Sequence, residues 1–416
     1  MKVLLVTMYF PPAGGGGVQR PLKTATHLPA LGIETHVLAP DDPKWLHRDE
    51  ELRAPTQAFV HRARYLGPRA RLPAEELHGL EGTERVLAQA RLAYRRVLLP
   101  DASVTWLPTA VPAAVRLIRS EDIDAVITTS PPVSMNLIGA AVKRLTGVPW
   151  VADLRDAVLG NADRRFERTA VQAKEKALER VVRLVAGNAD AVVAVSETIA
   201  DEVRRFEPAG QVRVIPNGCD FDDFAGLGYR PGERFRITHA GSFFGKRNPR
   251  PFLSALAASG LDDVVARFAG GLRQADEDWA ATLGLGNRLE LLPYLSHRRA
   301  LELERDSEAN LLLLPEAAGR GAVVPSGKIF EYLAAERPIL AAVPPDGAAA
   351  KLVRETGAGI VVAPEDEKGI REALLGLHAR WQAGQLSNGY LTPEQRRKLS
   401  REARVEELAE LLFSLE

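Results

Sequence analysis

Short apolar runs alternate with stretches of helical period from one end of this sequence to the other, and no other feature limits the fold as much. In the first half the candidate strands are Val3–Thr7, Glu34–Leu38, Ala125–Thr129, Trp150–Ala152, Ala191–Val195 and Val212–Ile215. In the second half they are Phe235–His239, Val264–Phe268, Leu289–Leu292, Leu311–Leu314, Pro338–Ala342 and Ile360–Val362. Runs that are apolar throughout belong to strands covered on both faces, which is how parallel sheets with helices on each side are built. The expectation is an α/β chain with two Rossmann-like, doubly wound domains. A length of 416 residues, of which 46% are hydrophobic, is enough for two cores.

The stretch IPNGCDFDDFAGLGYRPGERF, residues 215–235, is too dense in Gly, Pro and Asp to continue a helix or strand for long, and the hinge is placed there. A first domain then covers 1–217 and a second 218–391. From Thr392 a cap, Pro393 and Glu394 precede apolar residues at helical spacing, so 392–416 reads as a terminal helix that needs a surface to lie on.

Lys plus Arg and Asp plus Glu each total 54, so no net charge draws the chain to nucleic acid. The single Cys219 cannot form an intrachain disulfide, and with 8 scattered His it offers no metal-ligand cluster, which fits a reducing cytoplasm. No metal and no cofactor are expected. The first apolar run ends at Tyr9-Phe10-Pro11-Pro12, too short for a membrane span and without a signal-peptide cleavage pattern.

Three motifs carry chemistry. After the first strand, YFPPAGGGGVQR brings backbone N–H groups and a helix N-terminus to one point at Gly15, Gly16 and Gly17, with Arg20 one turn into the helix. It matches neither a full dinucleotide fingerprint nor a Walker loop, and the alternative is a glycine loop without a ligand. HAGSFFGKRNP repeats the arrangement in the second half: Gly241 and Ser242 follow a strand, and Lys246 and Arg247 precede a helix. Two cations beside a backbone nest suit a diphosphate, unless they are simply solvated. VPSGKIFEYLAAERPIL opens a helix at Ser326 or Pro325, with Gly327, Lys328 and, one turn on, Glu331. It is not a Walker loop, because Ile329 stands where a hydroxyl residue is required. A carboxylate there suits two neighbouring ribose hydroxyls, or else faces solvent or the helix dipole.

Together with YLSHRRALELERDSEANLLLLP, VIPNGCDFDDF and ADAVVAVSETIADEV, these motifs resemble the family 4 glycosyltransferases of the GT-B fold, over nearly the whole chain. The resemblance implies two domains facing across a cleft and a terminal helix that crosses back to the N-terminal one. It implies retaining, metal-independent transfer of a sugar from a nucleotide-diphosphate sugar to a glycan, lipid-linked or small-molecule acceptor, as in cell-surface polysaccharide synthesis. Arg247 and Lys328 would hold the donor diphosphate and stabilise its departure, Ser326 and Gly327 would add contacts, Glu331 would take the ribose, and Gly15 to Gly17 would approach from the acceptor side.

This chain departs from the family pattern at Val323, where a Glu that contacts the donor sugar is usual, at Ser242 in place of an Arg, and at Ser130-Pro131-Pro132 in place of a His. An altered donor sugar is therefore one reading. Two others are a nucleotide-sugar epimerase on the same scaffold and a non-catalytic nucleotide-sugar binder.

At the end of a first-half strand, VADLRDAVLGN sets Asp153, Arg155 and Asp156 where a doubly wound sheet puts its ligands. With Ser130 they would bind acceptor hydroxyls, and Asp153 or Asp156 would act on the incoming one; the alternative is an internal salt-bridge cluster. Finally, Phe59–Val97 carries eight Arg against four Glu with apolar residues interleaved, either a solvated face or a peripheral contact with the inner face of a membrane.

Overall fold

The computed structural model describes residues 1–42, 45, 47–68, 80–159, 169–243, 246–316, 326–386 and 389–416, except the side chains of residues 96, 169 and 170. Val323 and Pro325 lie outside the described residues, as do Arg69, Arg71, Glu75 and Glu76. The chain forms two compact units, Met1–Pro216 with Arg404–Glu416, and Asn217–Ala403.

The first unit is a seven-stranded sheet of β1 (Lys2–Thr7), β2 (Glu34–Pro40), β3 (Ala58–Ala63), β4 (Ala125–Ser130), β5 (Trp150–Leu154), β6 (Ala191–Ala194) and β7 (Gln211–Val214), in the order β3-β2-β1-β4-β5-β6-β7. All its pairings are parallel. The strand order reverses at β1, where Leu5 pairs with Val37 on one side and Ile127 on the other. Alternation along β1 feeds two cores. Val3 and Leu5 pack with Val18, Leu22 and Leu28, while Leu4 and Val6 pack with Trp106, Ile138 and Val142.

The second unit has six parallel strands, β8 (Phe235–Ala240), β9 (Val264–Ala269), β10 (Leu289–Leu292), β11 (Ala309–Leu313), β12 (Ile339–Ala342) and β13 (Gly359–Val362), in the order β10-β9-β8-β11-β12-β13. Its reversal lies between β8 and β11. Phe235, Ile237, Leu311 and Leu313 face one core with Phe252 and Leu256, and Leu312 and Leu314 face another with Ile329 and Leu333.

Two expectations need correction. β3 is a strand inside the Arg-rich stretch, hidden in the sequence because an edge strand need not be apolar throughout. Its Arg62 is not a solvated charge; it donates to the carbonyls of Pro40 and Pro11. The terminal segment is two helices, Pro393–Leu399 and Arg401–Phe413, rather than one. The first belongs to the second unit. The chain breaks at Ser400 because Cys219 binds it as a strand would: Cys219 N–H donates to Leu399 (2.7 Å) and Arg401 N–H to Cys219 (2.9 Å). From Arg404 onward the segment packs in the first unit through Val405, Leu408, Leu411 and Leu412. Among the described residues no helix is long and apolar enough to cross a membrane, and no group of three His, Cys, Asp or Glu is placed to hold a metal ion.

Candidate functional site

In an open parallel sheet the ligand sites lie beyond the carboxyl ends of the strands where the order reverses. In the first unit that rim is formed by the residues after β1, β4 and β5. Gly15, Gly16 and Gly17 lie there. A Cβ on Gly15 or Gly16 would meet no atom within 4 Å, whereas one on Gly17 would sit 3.4 Å from the Tyr9 ring. The loop is thus open on one side and backed by an aromatic ring on the other.

Most of the charge expected to face a ligand here is spent on holding the rim together. Asp153 is buried and accepts from Arg20 Nε at 3.0 Å and Nη2 at 2.8 Å, and from the Thr129 hydroxyl at 2.7 Å. Arg20 also donates to the carbonyls of Ile215 and Pro216, at 3.1 Å each, tying the helix Gln19–His27 to the end of the unit. Arg155 donates to the carbonyls of Ser130, Pro131 and Gly17 at 3.2, 2.9 and 2.5 Å. Ser130 is itself buried.

These contacts favour the internal-cluster alternative: the side chains of Arg20, Asp153 and Arg155 hold the strand ends together, and Ser130 is buried beside them. The internal salt bridge runs from Asp153 to Arg20, across the strand ends, rather than to its neighbour Arg155.

Asp156 and Tyr9 also belong to this rim. Asp156 is exposed, and the chain crowded about its carboxyl removes enough water to raise its pKa against the lowering pull of Arg155. Burial likewise raises the pKa of the Tyr9 phenol, with Arg155 opposing. Tyr9 opens the glycine-loop motif without a role assigned to it there; its position just past β1 was the available signal.

The second unit gathers its groups about the β8–β11 reversal. Lys328, in the first turn of the helix Gly327–Ala335, reaches back so that Nζ donates to the carbonyl of Ala240 at the end of β8. Gly241 must be glycine for this, since its φ is +142° and a Cβ there would collide with Nζ. Arg247 Nη2 lies 3.4 Å from the Ser326 hydroxyl at the N-cap of the same helix. Two cations and the first N–H groups of a helix therefore converge on one place. Burial lowers the pKa of both, and for Lys328 the nearby Glu331 works in the opposite sense. Ser242 and Gly327 border this place. Lys246 is exposed and lines a cavity of about 410 Å³ with Pro315, Glu316, Ala363, Pro364 and Glu365, residues that follow β11 and β13. The sequence reading did not select these cavity residues, though a strand-end rule applied to β11 and β13 would have.

It also passed over Glu304. This carboxyl, in the helix His297–Arg305, is buried at 1% exposure, and neither oxygen has a hydrogen-bond partner. Burial holds its pKa well above the usual carboxylate range; Glu331 adds to the effect and Lys328 opposes it. On β8, His239 is buried and kept neutral, its pKa pushed down to about 3 by burial and by the charge of Lys328. Its Nδ1 faces the Leu311 carbonyl at 2.9 Å and so carries the proton.

The architecture is that of the GT-B class. Over 100% of its length the chain is similar to sucrose-phosphate synthase from Thermosynechococcus elongatus, at 18% identity and a TM-score of 0.67, covering 98% of that chain. It is similar to Anabaena Alr3699/HepE, solved in complex with UDP, at 16% identity and a TM-score of 0.64 over 100% of both chains. It is also similar to an alpha,alpha-trehalose-phosphate synthase (UDP-forming) from Burkholderia xenovorans, at 12% identity and a TM-score of 0.60 over 99% of each chain. No curated protein sequence matches the chain significantly. The family model described as a glycosyl transferase 4-like domain matches residues 15–218, from the glycine loop to the hinge. Residues 15–218 thus carry a glycosyl transferase 4-like domain, and the two units together have the fold of the GT-B structures.

Proposed function

We propose that the protein is a retaining, metal-independent glycosyltransferase that takes a sugar from a nucleoside-diphosphate sugar held by the second unit and passes it to a hydroxyl of a glycan or lipid-linked acceptor held by the first. The observation that carries this is the convergence of Lys328 and Arg247 on the N-terminus of the helix Gly327–Ala335, beside the strand reversal. Two fixed cations and a helix N-terminus supply the charge that a departing diphosphate needs. Anabaena Alr3699/HepE, with the same fold, was solved with UDP, which supports a nucleotide donor of this kind.

In this reading Arg247, Lys328 and the N–H groups after Ser326 bind the diphosphate. Glu331 takes the ribose hydroxyls, and the cavity beside Lys246 and Glu316 takes the base. The bond from the anomeric carbon to the diphosphate oxygen breaks, the acceptor oxygen bonds to the same face of that carbon, and its proton passes to the departing phosphate. Asp156 and Tyr9 orient the acceptor hydroxyl. Glu331 is not a nucleophile.

A panel of nucleotide sugars tests the reaction class. Slow release of a nucleoside diphosphate supports transfer, an isomerised sugar nucleotide would mean epimerisation, and binding without turnover would mean a non-catalytic binder. For the site, Arg247→Ala should weaken binding of the nucleoside diphosphate by about 2 kcal/mol and leave the nucleoside itself little changed. Equal losses for both reject the diphosphate role. Glu331→Gln should weaken nucleoside and diphosphate alike, and unchanged affinity removes Glu331 from the ribose.

A further inference from the structure

The helix Gly82–Val97 has two apolar faces, where a helix seated on the surface of a domain needs one. Ala88 and Leu92, one turn apart, are 5% and 7% exposed and seat it. The opposite side carries Val86, Ala90, Ala93 and Val97, whose spacings of four, three and four residues place them on a single line, with Leu87 and Tyr94 along its edge. Val86, Leu87, Tyr94 and Val97 are 63%, 59%, 52% and 71% exposed, and Leu99, just past the helix, is 39% exposed. Exposed apolar residues occur singly on most proteins; a continuous line of them marks a surface that is covered in use.

The charges say what covers it. Arg85 and Arg91 are exposed and flank the line on opposite sides, and the helix sequence holds four Arg against the single Glu84. A second copy docked through the same face would bring two surfaces with the same excess of arginine together, since a two-fold contact pairs a patch with itself. An anionic lipid surface meets both features at once: the apolar line enters the acyl boundary, the arginines meet headgroup charge, and Tyr94 lies at the level of the interface.

We propose that the outward face of Gly82–Val97 docks on an anionic membrane surface. This goes beyond the transfer reaction and does not rest on it. Within the Arg-rich stretch Arg62 is committed to carbonyls and Leu92 is buried, so neither takes part.

The test is flotation of the full chain with vesicles of phosphatidylcholine alone or mixed with phosphatidylglycerol, at low and high salt. The wild type should float with the anionic vesicles, weakly or not at all with the neutral ones, and less at high salt. Val86→Glu with Val97→Glu should weaken anionic binding about tenfold or more, and Arg85→Gln with Arg91→Gln should weaken it several-fold. All four positions are exposed, so unchanged circular-dichroism melting checks that the variants fold. The proposal is overturned by no flotation with anionic vesicles at low salt, or by equal flotation of the wild type and the double-Glu variant. It is also overturned by a wild type that sizes as a dimer and a double-Glu variant that sizes as a monomer, which would make the face a contact between copies.

Discussion

Glu304 shows what one buried acid does to a site. An unpaired carboxyl in a dry place keeps its proton, because burial penalises the charged form more than the neutral one. Its folded pKa lies above its unfolded value, so the unfolded chain releases the proton first as the pH rises. The stability associated with this residue is therefore full below about pH 4.5 and is lost progressively as the pH climbs toward the raised value. Glu304→Gln should flatten that decline. Melting temperatures of the two proteins measured from about pH 5 to pH 8 should converge at the acid end and separate, with the variant higher, at the alkaline end; parallel curves would show that the carboxyl titrates normally. Asp153 is the opposite case, a buried carboxylate whose two oxygens are taken by Arg20 and Thr129. Both are acids near strand ends, and sequence position alone does not tell them apart.

The hinge motif acquires its meaning at the level of elements. Asn217, Gly218, Cys219 and Asp220 form a short strand-like clasp on the start of the helix Arg401–Phe413. Gly218 has no room for a side chain, because a Cβ would lie 2.8 Å from the backbone of Arg401. Arg401 in turn donates to Asp220 at 3.2 Å and to Asn217 at 3.2 Å, with both ends of the ion pair largely buried. Asp220→Ala should leave that guanidinium buried without its carboxylate and cost about 3 kcal/mol in urea unfolding of the second unit. Adding Arg401→Met should recover part of the loss. A double variant as unstable as the single one would mean that packing, not the ion pair, is what Asp220 contributes. The sequence showed here only a stretch too rich in Gly, Pro and Asp for regular structure, because its partner lies about 180 residues further on.

At the scale of the whole molecule the last residues join the first unit's core. Val405, Leu408, Ala409, Leu411 and Leu412 are buried with Val3, Leu5 and Val37. Ending the chain at Ala403 removes three buried leucines from that core, a loss of about 5 kcal/mol or more, which is a large share of an ordinary domain's stability. Hydrogen exchange should then show β1 and β2 losing protection while β8 and β9 keep theirs. Equal loss in both sheets would mean that the two units unfold together.

The sequence by itself determined the doubly wound architecture of both units and all but one of their strands, because a strand buried on both faces must be apolar at nearly every position. It also marked the motifs where an anion is expected, since a glycine loop or a lysine in the first turn of a helix is a local property. Tertiary structure decided which charged groups remain free to act. Whether Asp153, Arg155 and Arg20 face a ligand or one another depends on strand ends more than a hundred residues apart, where burial and competing partners set each group's charge and availability. Only the fold could show that Lys328 reaches Ala240, and that the acid buried beside it is Glu304.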